Sequence, residues 1–361
     1  MPVLPLKEAF TARAIGVFWN TYQQSLGLPP YLGTTLFPKV KTPLMDLKWF
    51  YGSSGLPVAL TPSNYDAEPT LRDRIGFKQI ETEMPFFRES YLVKEKDKAD
   101  YEMLLNSGDE YSAEILRRIM IGPTDLIQAA NVNPERMIWQ LLAPVDGSPK
   151  IAISANGVNY DYNYDIDGSY KTNNFIELTT ATDKWTDLEN SDPYEDIRMA
   201  QKAHKKKYGT VPAVAVMNDN TFQLIVKNKK IHNYLLAQNM SATIMVTDAV
   251  VKQFFREQLK LTIYVYDLLY MDETGTAKTF VPDNIVSLLP GTGKLGETRY
   301  GKTPEERDGN VASGELAITD VGVALYTYTN EKPPFKTQCI CSEIVLPTYE
   351  RIMDTYVMKV A

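Results

Sequence analysis

Cysteine and histidine are almost missing from this 361-residue chain, which has two of each: Cys339 and Cys341, His204 and His232. A zinc site takes four protein ligands, or three with an open position, and no Cys/His spacing of that kind occurs. Nucleophile–histidine catalysis would have to use these same two histidines. His204 sits in a lysine-rich segment and His232 beside Lys229 and Lys230, so both are read as solvated. The two thiols, two apart on an expected strand, are read as pointing to opposite faces and as unable to bridge. Stability is therefore expected to owe nothing to disulfides, as in a chain made in the cytoplasm. No apolar run approaches 18 residues, so no membrane span is expected. The start, MPVLPLKEAFTARA, lacks a basic stretch followed by an apolar core, and no signal peptide is expected.

A surplus of basic residues is absent too. The 38 Lys and Arg against 45 Asp and Glu leave a net charge of -7, which argues against nucleic-acid binding as the main role. What is present is an ordinary soluble composition, 44% hydrophobic and 23% charged, long enough to bury a real core and to split into two domains. Aromatic residues are plentiful. The 22 tyrosines, 13 phenylalanines and 4 tryptophans suit large contact surfaces, because tyrosine buries much area and keeps a polar tip.

The stretch from Leu56 to Val93 is the most informative. Pro57, Pro62, Pro69 and Pro85 exclude a helix through most of it. Ile80, Thr82, Met84 and Phe86 alternate with Glu81, Glu83, Pro85 and Phe87, the period of a strand with one covered face. Arg72, Asp73, Arg74 and Gly76 precede it, which predicts a two-stranded ribbon with a broad turn. Such a ribbon is marginal in water by itself. Ile75, Phe77, Ile80, Phe86, Phe87 and Tyr91 make it too apolar for a solvated tether. The reading is a projecting ribbon covered by another copy of the chain; the alternative is a hairpin folded back on its own domain.

Residues 1–45 read as an arm broken by Pro2, Pro5, Pro29, Pro30, Pro38 and Pro43, with Phe10, Ile15, Phe18, Trp19 and Tyr22 as a bulky stripe. The stripe is expected on a neighbouring subunit or, failing that, on its own domain. Residues 109–143 read as a long helical spine, with a break at Gly122-Pro123 and a fresh cap at Asn133-Pro134-Glu135. Asn156-Gly157 predicts a hairpin. On its return strand Tyr160, Tyr162, Tyr164 and Ile166 take one face, and Asn159, Asp161, Asn163, Asp165 and Asp167 the other. Asn163-x-Asp165-x-Asp167-Gly168 imitates a calcium loop, but position twelve is Asn174, so an acidic solvent face is expected. Asp192-Pro193-Tyr194-Glu195 opens a helix that Gly209 ends, and Asn218 or Asp219 caps another. Lysines 205, 206, 207, 227, 229 and 230 read as solvated helix faces. Gly293-Lys294 fails the phosphate-loop pattern, since Leu288 and Leu295 stand where Gly and Ser or Thr are needed.

Two function classes remain open on these residues: a structural protein whose thin extensions need neighbours, and a carboxylate-dependent hydrolase using Asp161, Asp165 and Asp167. The order of motifs favours the first. FPKVKTP at 37–43, GFKQIETEMPFFRESYLV ending at Val93, SANGVNYDYNYD, KWTDLENSDPYEDI, VPAVAVMNDNTFQLIVKN, VPDNIVSLLPGTGKLGETRYG and PPFKTQCICSEIVLPTYERIMD resemble, in that order, the major capsid protein of tailed bacteriophages, lambda-like branch, major capsid protein E. The resemblance covers about residues 36–360.

The resemblance implies an α+β fold of the Hong Kong ninety-seven type. Its parts would be an N-terminal arm at 1–45, an extended E-loop at 50–92, a peripheral domain with the spine helix at 93–175, an axial domain at 176–335 and a peripheral return at 336–361. It implies a non-enzymatic shell protein without cofactor or metal, assembling into hexamers and pentamers around double-stranded DNA held without sequence specificity. Scaffold, portal and decoration proteins would be its partners, the host cytoplasm its place of assembly and the virion its destination, with no membrane involved. Subunit contacts are expected at Phe18, Trp19, Arg72, Arg74, Phe77, Lys78, Glu81, Glu83, Phe86 and Phe87. Lys78 is the nominal candidate for the cross-linking lysine of some relatives, although no acidic partner stands out, and cross-linking is not expected. The motif FPKVKTP arrives within 40 residues, so a scaffold is expected to be a separate protein. An encapsulin-like compartment is the alternative shell.

Overall fold

A computed structural model describes residues 9–26, 30–43, 46–51, 78–107, 111–155, 157–238, 246–308, 314–330 and 336–361. Its chain forms two compact units. One draws on Met1–Lys48, Glu81–Met137 and Gly296–Thr348, the other on Trp49–Ile80, Ile138–Leu295 and Tyr349–Ala361.

The first unit is built on one long strand, Thr337–Thr348, most of whose residues are buried. Burial on both faces requires covering layers, and an apolar run such as CICSEIVL answers that need. Three strands pair antiparallel with it: Phe86–Val93 along Thr337 to Ile344, Val323–Thr329 along Thr337 to Ser342, and Glu297–Tyr300 along Val345 to Thr348. Lys39–Lys41 and Glu315–Thr319 complete a six-stranded sheet. The border expected near 335 runs through this sheet, because pairing of the last long strand reaches back to residues 297–300 and 323–329.

The helix Tyr111–Leu142 is unbroken over 32 residues, with Pro123 and Pro134 inside it. The expected break and cap do not form, and tertiary partners explain why. Asn133, instead of capping, donates from its side chain to Glu343 (2.9 Å), and the Glu135 carboxylate accepts from the backbone N–H of Gly33 (3.0 Å). Residues that punctuate a helix in isolation here tie it to the rest of the unit.

Cys339 and Cys341 are both buried among Ile119, Met120, Ile127 and Ala130. They share a face, which corrects the reading of opposite faces: residues two apart on a strand point the same way. Both remain free thiols. The N-terminal helix Ala12–Leu26 buries Ile15 and Trp19 in the same core, together with Phe10 just before it. Its first N–H donates to Thr327 Oγ1 (3.1 Å), which pins the helix start to the sheet.

The second unit holds a five-stranded sheet in the order Phe175–Glu177, Tyr356–Lys359, Ile285–Leu289, Val214–Met217, Thr262–Val265. The chain end therefore joins this sheet, whereas Thr337–Thr348 belongs to the sheet of the first unit. Trp185, Ile197, Phe222, Ile225, Val251 and Phe255 form the core over it. The helix Pro193–Tyr208 starts as expected: Asp192 accepts from the Glu195 N–H (3.1 Å), and Gly209 ends the helix at φ 76°. Asn218 caps Asp219–Lys227 in the same way.

His204 corrects the solvated reading. It is buried, with its ring nitrogens 3.0 Å from the Thr210 carbonyl and 3.2 Å from that of Met353. The tyrosine-rich return strand also stops earlier than the alternation suggests, at Asn163. Asp165 turns inward to accept from the backbone N–H groups of Tyr170 (2.8 Å) and Lys171 (3.0 Å), and Ile166 is left 65% exposed.

Candidate assembly surface

The strands Asp46–Tyr51 and Lys78–Glu83 pair as a two-stranded ribbon. The alternation from Ile80 to Met84 is the one the sequence predicts. Leu47, Trp49, Ile80 and Met84 are buried, whereas Lys48, Glu81 and Glu83 are exposed. Lys48 and Glu81 form an ion pair across the outer face (2.6 Å), each about half exposed. At the inner face, Trp49 leans on Tyr164 with ring centroids 5.3 Å apart. Met84 packs so closely over Gly301 that a Cβ there would sit 2.6 Å from its terminal methyl. The covered face of the ribbon is thus covered by its own chain, and only the charged face remains for a neighbour. A one-sided hydrophobic alternation shows that a face is covered but not by which copy.

The candidate contact residues fall into three groups. Arg72, Arg74 and Phe77 lie outside the described residues, as does the side chain of Lys78. Glu81 and Glu83 are exposed on the ribbon's outer face, while Phe86 and Phe87 are half-buried on a strand that pairs with Glu343 and Ile344. Phe18 stacks on Tyr22 at 5.7 Å and is half-buried, but Trp19 is only 4% exposed in the first unit's own core. Trp19 is therefore corrected from a contact residue to a core residue. Its helix lies against the edge strand Glu315–Thr319 of its own sheet.

The strand after the ribbon is fixed by charge as well as by pairing. Arg88 pairs with Glu305 (2.6 Å), and the other Glu305 oxygen accepts from Ser342 Oγ (2.7 Å). Sequence reasoning passed over Glu305, because only the fold brings Pro304–Asp308 beside these two strands.

No catalytic constellation forms among the described residues. The Asp161, Asp165, Asp167 row is dispersed: Asp161 is exposed on a strand, Asp165 caps a helix, and Asp167 accepts from Ser169 Oγ (2.9 Å). These bonds also account for the calcium-like spacing, and no group of metal-binding side chains occurs among the described residues. Burial pushes the Cys339 thiol up to about 12 and raises Cys341 as well, which leaves both unreactive. His232 is bonded to the Val226 carbonyl (2.7 Å). The glycine-rich turn offers carbonyls, not N–H groups, to its partner: those of Thr292 and Lys294 accept from Arg351. Lys229 pairs with Glu189 and Lys230 lies near Asp192, while Lys205, Lys206 and Lys207 are exposed. No helix among the described residues is long and apolar enough to cross a membrane.

The fold is shared with solved structures. A protein assigned as the capsid protein of an Escherichia coli CFT073 prophage matches at 16% identity and TM-score 0.60, over 98% of this chain and 99% of that one. A phage-related protein of Bordetella bronchiseptica RB50 matches at 11% and 0.54, over 97% of each chain. The Cyanophage A-1(L) capsid asymmetric unit matches at 12% and 0.50, over 92% of each. This is the α+β fold of the Hong Kong ninety-seven type. No curated protein matches the sequence. The family profile described as Phage major capsid protein E matches residues 12–318, most of the chain. That match sets aside both the carboxylate hydrolase and the separate cargo compartment. The chain belongs to the phage major capsid protein E family, whose members are structural shell proteins and not enzymes.

Proposed function

We propose that this chain forms hexamers and pentamers that close into an icosahedral head around double-stranded DNA, and that the ribbon is its principal grip on a neighbouring copy. The observation that carries this reading is the ribbon's asymmetry. Its apolar face is sealed at Trp49, Ile80 and Met84, while Lys48, Glu81 and Glu83 stand on the other side. Charged faces of this kind set register and partner choice more than raw affinity. A specific interface buries about 1,600 Å² in total, so a subunit held by several neighbours needs only modest strength from each. Closed symmetry then ends growth. The first compact unit, with the N-terminal helix and most of the long helix, fills the peripheral role, and the second the axial role. Scaffold, portal and decoration proteins join the shell during assembly in the host cytoplasm, and the DNA is held without sequence specificity.

The experiment is to replace the outer-face charges Lys48, Glu81 and Glu83 together by serine. The expected product is a folded subunit that runs as small oligomers in size-exclusion chromatography and shows no shells in electron micrographs. Normal shells from that variant would remove the ribbon from its assigned role.

A further inference from the structure

The strand Thr337–Thr348 carries one acid on the side that faces the long helix. Glu343 is 1% exposed and lies in line with Cys339 and Cys341, whose neighbour across the gap is the Leu126 carbonyl (3.7 Å from Cys341 Sγ). One carboxyl oxygen accepts from Asn133 Nδ2 at 2.9 Å; the other is buried with no hydrogen-bond partner. The Tyr300 hydroxyl on the adjoining strand is likewise buried without one. An ionised carboxylate in such a place would need several donors and has a single amide. The neutral acid is the form that the site accommodates.

The charged surroundings point the same way. Lys39, on Lys39–Lys41, is the cation whose charge reaches Glu343, but its ammonium is held by Asn131 Oδ1 (3.0 Å) and Asp320. Tyr300 and Cys341 are the titratable groups beside the acid that feel its charge. Glu135, next along the helix, is engaged by Gly33, and Arg136 follows it. Arg88 and Glu305 are paired with each other at Ser342, whose side chain points to the opposite face of the strand.

We propose that Glu343 is a proton-operated latch between the long helix and the sheet. Neutral, it lets the helix lie on the strand. On losing its proton to solvent, it draws the Lys39 ammonium away from Asp320 and Asn131 and loosens the strand Lys39–Lys41. Burial raises the carboxyl to about 8, against the opposing effects of the Asn133 hydrogen bond and the Lys39 charge. A folded chain that holds a proton more tightly than the unfolded one loses stability as pH rises, here from the ordinary carboxyl value of 4.5 towards about 8.

The test is thermal unfolding of the full chain from pH 5.5 to 9, for the natural protein, Glu343→Gln and Lys39→Met. The natural protein should lose about 5 °C or more of melting temperature across that range relative to Glu343→Gln, whose amide cannot ionise. Lys39→Met should steepen the fall by removing the cation that the ionised acid recruits. Parallel curves for the natural protein and Glu343→Gln would overturn the latch, and an unchanged slope in Lys39→Met would overturn the recruitment of Lys39. An infrared band of a protonated carboxyl at pH 7, absent from Glu343→Gln, is expected independently of unfolding. Its absence from the natural protein would also overturn the proposal.

Discussion

Thr355 shows how one hydroxyl can organise a chain end. Its Oγ1 donates to the Ile352 carbonyl (2.9 Å) and so accepts from both the Tyr349 (2.6 Å) and Tyr170 (3.2 Å) hydroxyls, all within buried surroundings. Asn174 donates to the carbonyls of Met353 and Thr355 on the same turn and accepts from Tyr208 (2.7 Å). Valine at position 355 keeps the shape but withdraws an acceptor from two buried hydroxyls. Each stranded polar group costs about 1–3 kcal/mol, so Thr355→Val should lower unfolding free energy by about 2 kcal/mol or more in urea titrations. A change within error would show that the tyrosines find other acceptors. Nothing in the local sequence announces this clasp, because its members come from residues 170, 174, 208 and 349–355.

At the scale of elements, the ribbon's outer face separates two effects that usually travel together. An exposed ion pair such as Lys48–Glu81 contributes between nothing and about 1 kcal/mol. Glu81→Lys with Glu83→Lys should therefore leave the subunit's melting temperature nearly unchanged while shell yield in electron micrographs falls sharply. Equal losses in both measurements would mean that the outer face serves the subunit's own fold. Elements whose signals are local were legible: the Asp192 cap, the Gly209 stop and the alternation from Ile80 to Met84 all rest on neighbours within a few residues. Elements decided at long range were not. Pro134 and Asn133 spell a helix start, yet Gly33 and Glu343 outweigh that local preference and the helix runs on. The candidate surface was legible to the same extent: the ribbon's period was visible, but the identity of its cover depended on Tyr164 and Gly301, more than 80 residues away.

At the scale of the whole molecule, like copies must come together against their own charge. With a net charge of -7 on every subunit, long-range repulsion opposes association. Raising ionic strength from about 0.01 M to about 0.15 M shortens the screening length from about 30 Å to about 8 Å. Light scattering of purified subunits should accordingly show faster assembly over that interval. Slower assembly would indicate that attraction between opposite charges, as on the ribbon's outer face, governs the encounter.

The long strand Thr337–Thr348 also sets a schedule for biosynthesis. Its partners at 86–93, 297–300 and 323–329 precede it on the polypeptide. The first unit's sheet therefore cannot close until residue 348 of 361 has left the ribosome. Pairings so distant along the chain are slow to form. Nascent copies on one messenger consequently lack a finished first unit until that last strand has emerged.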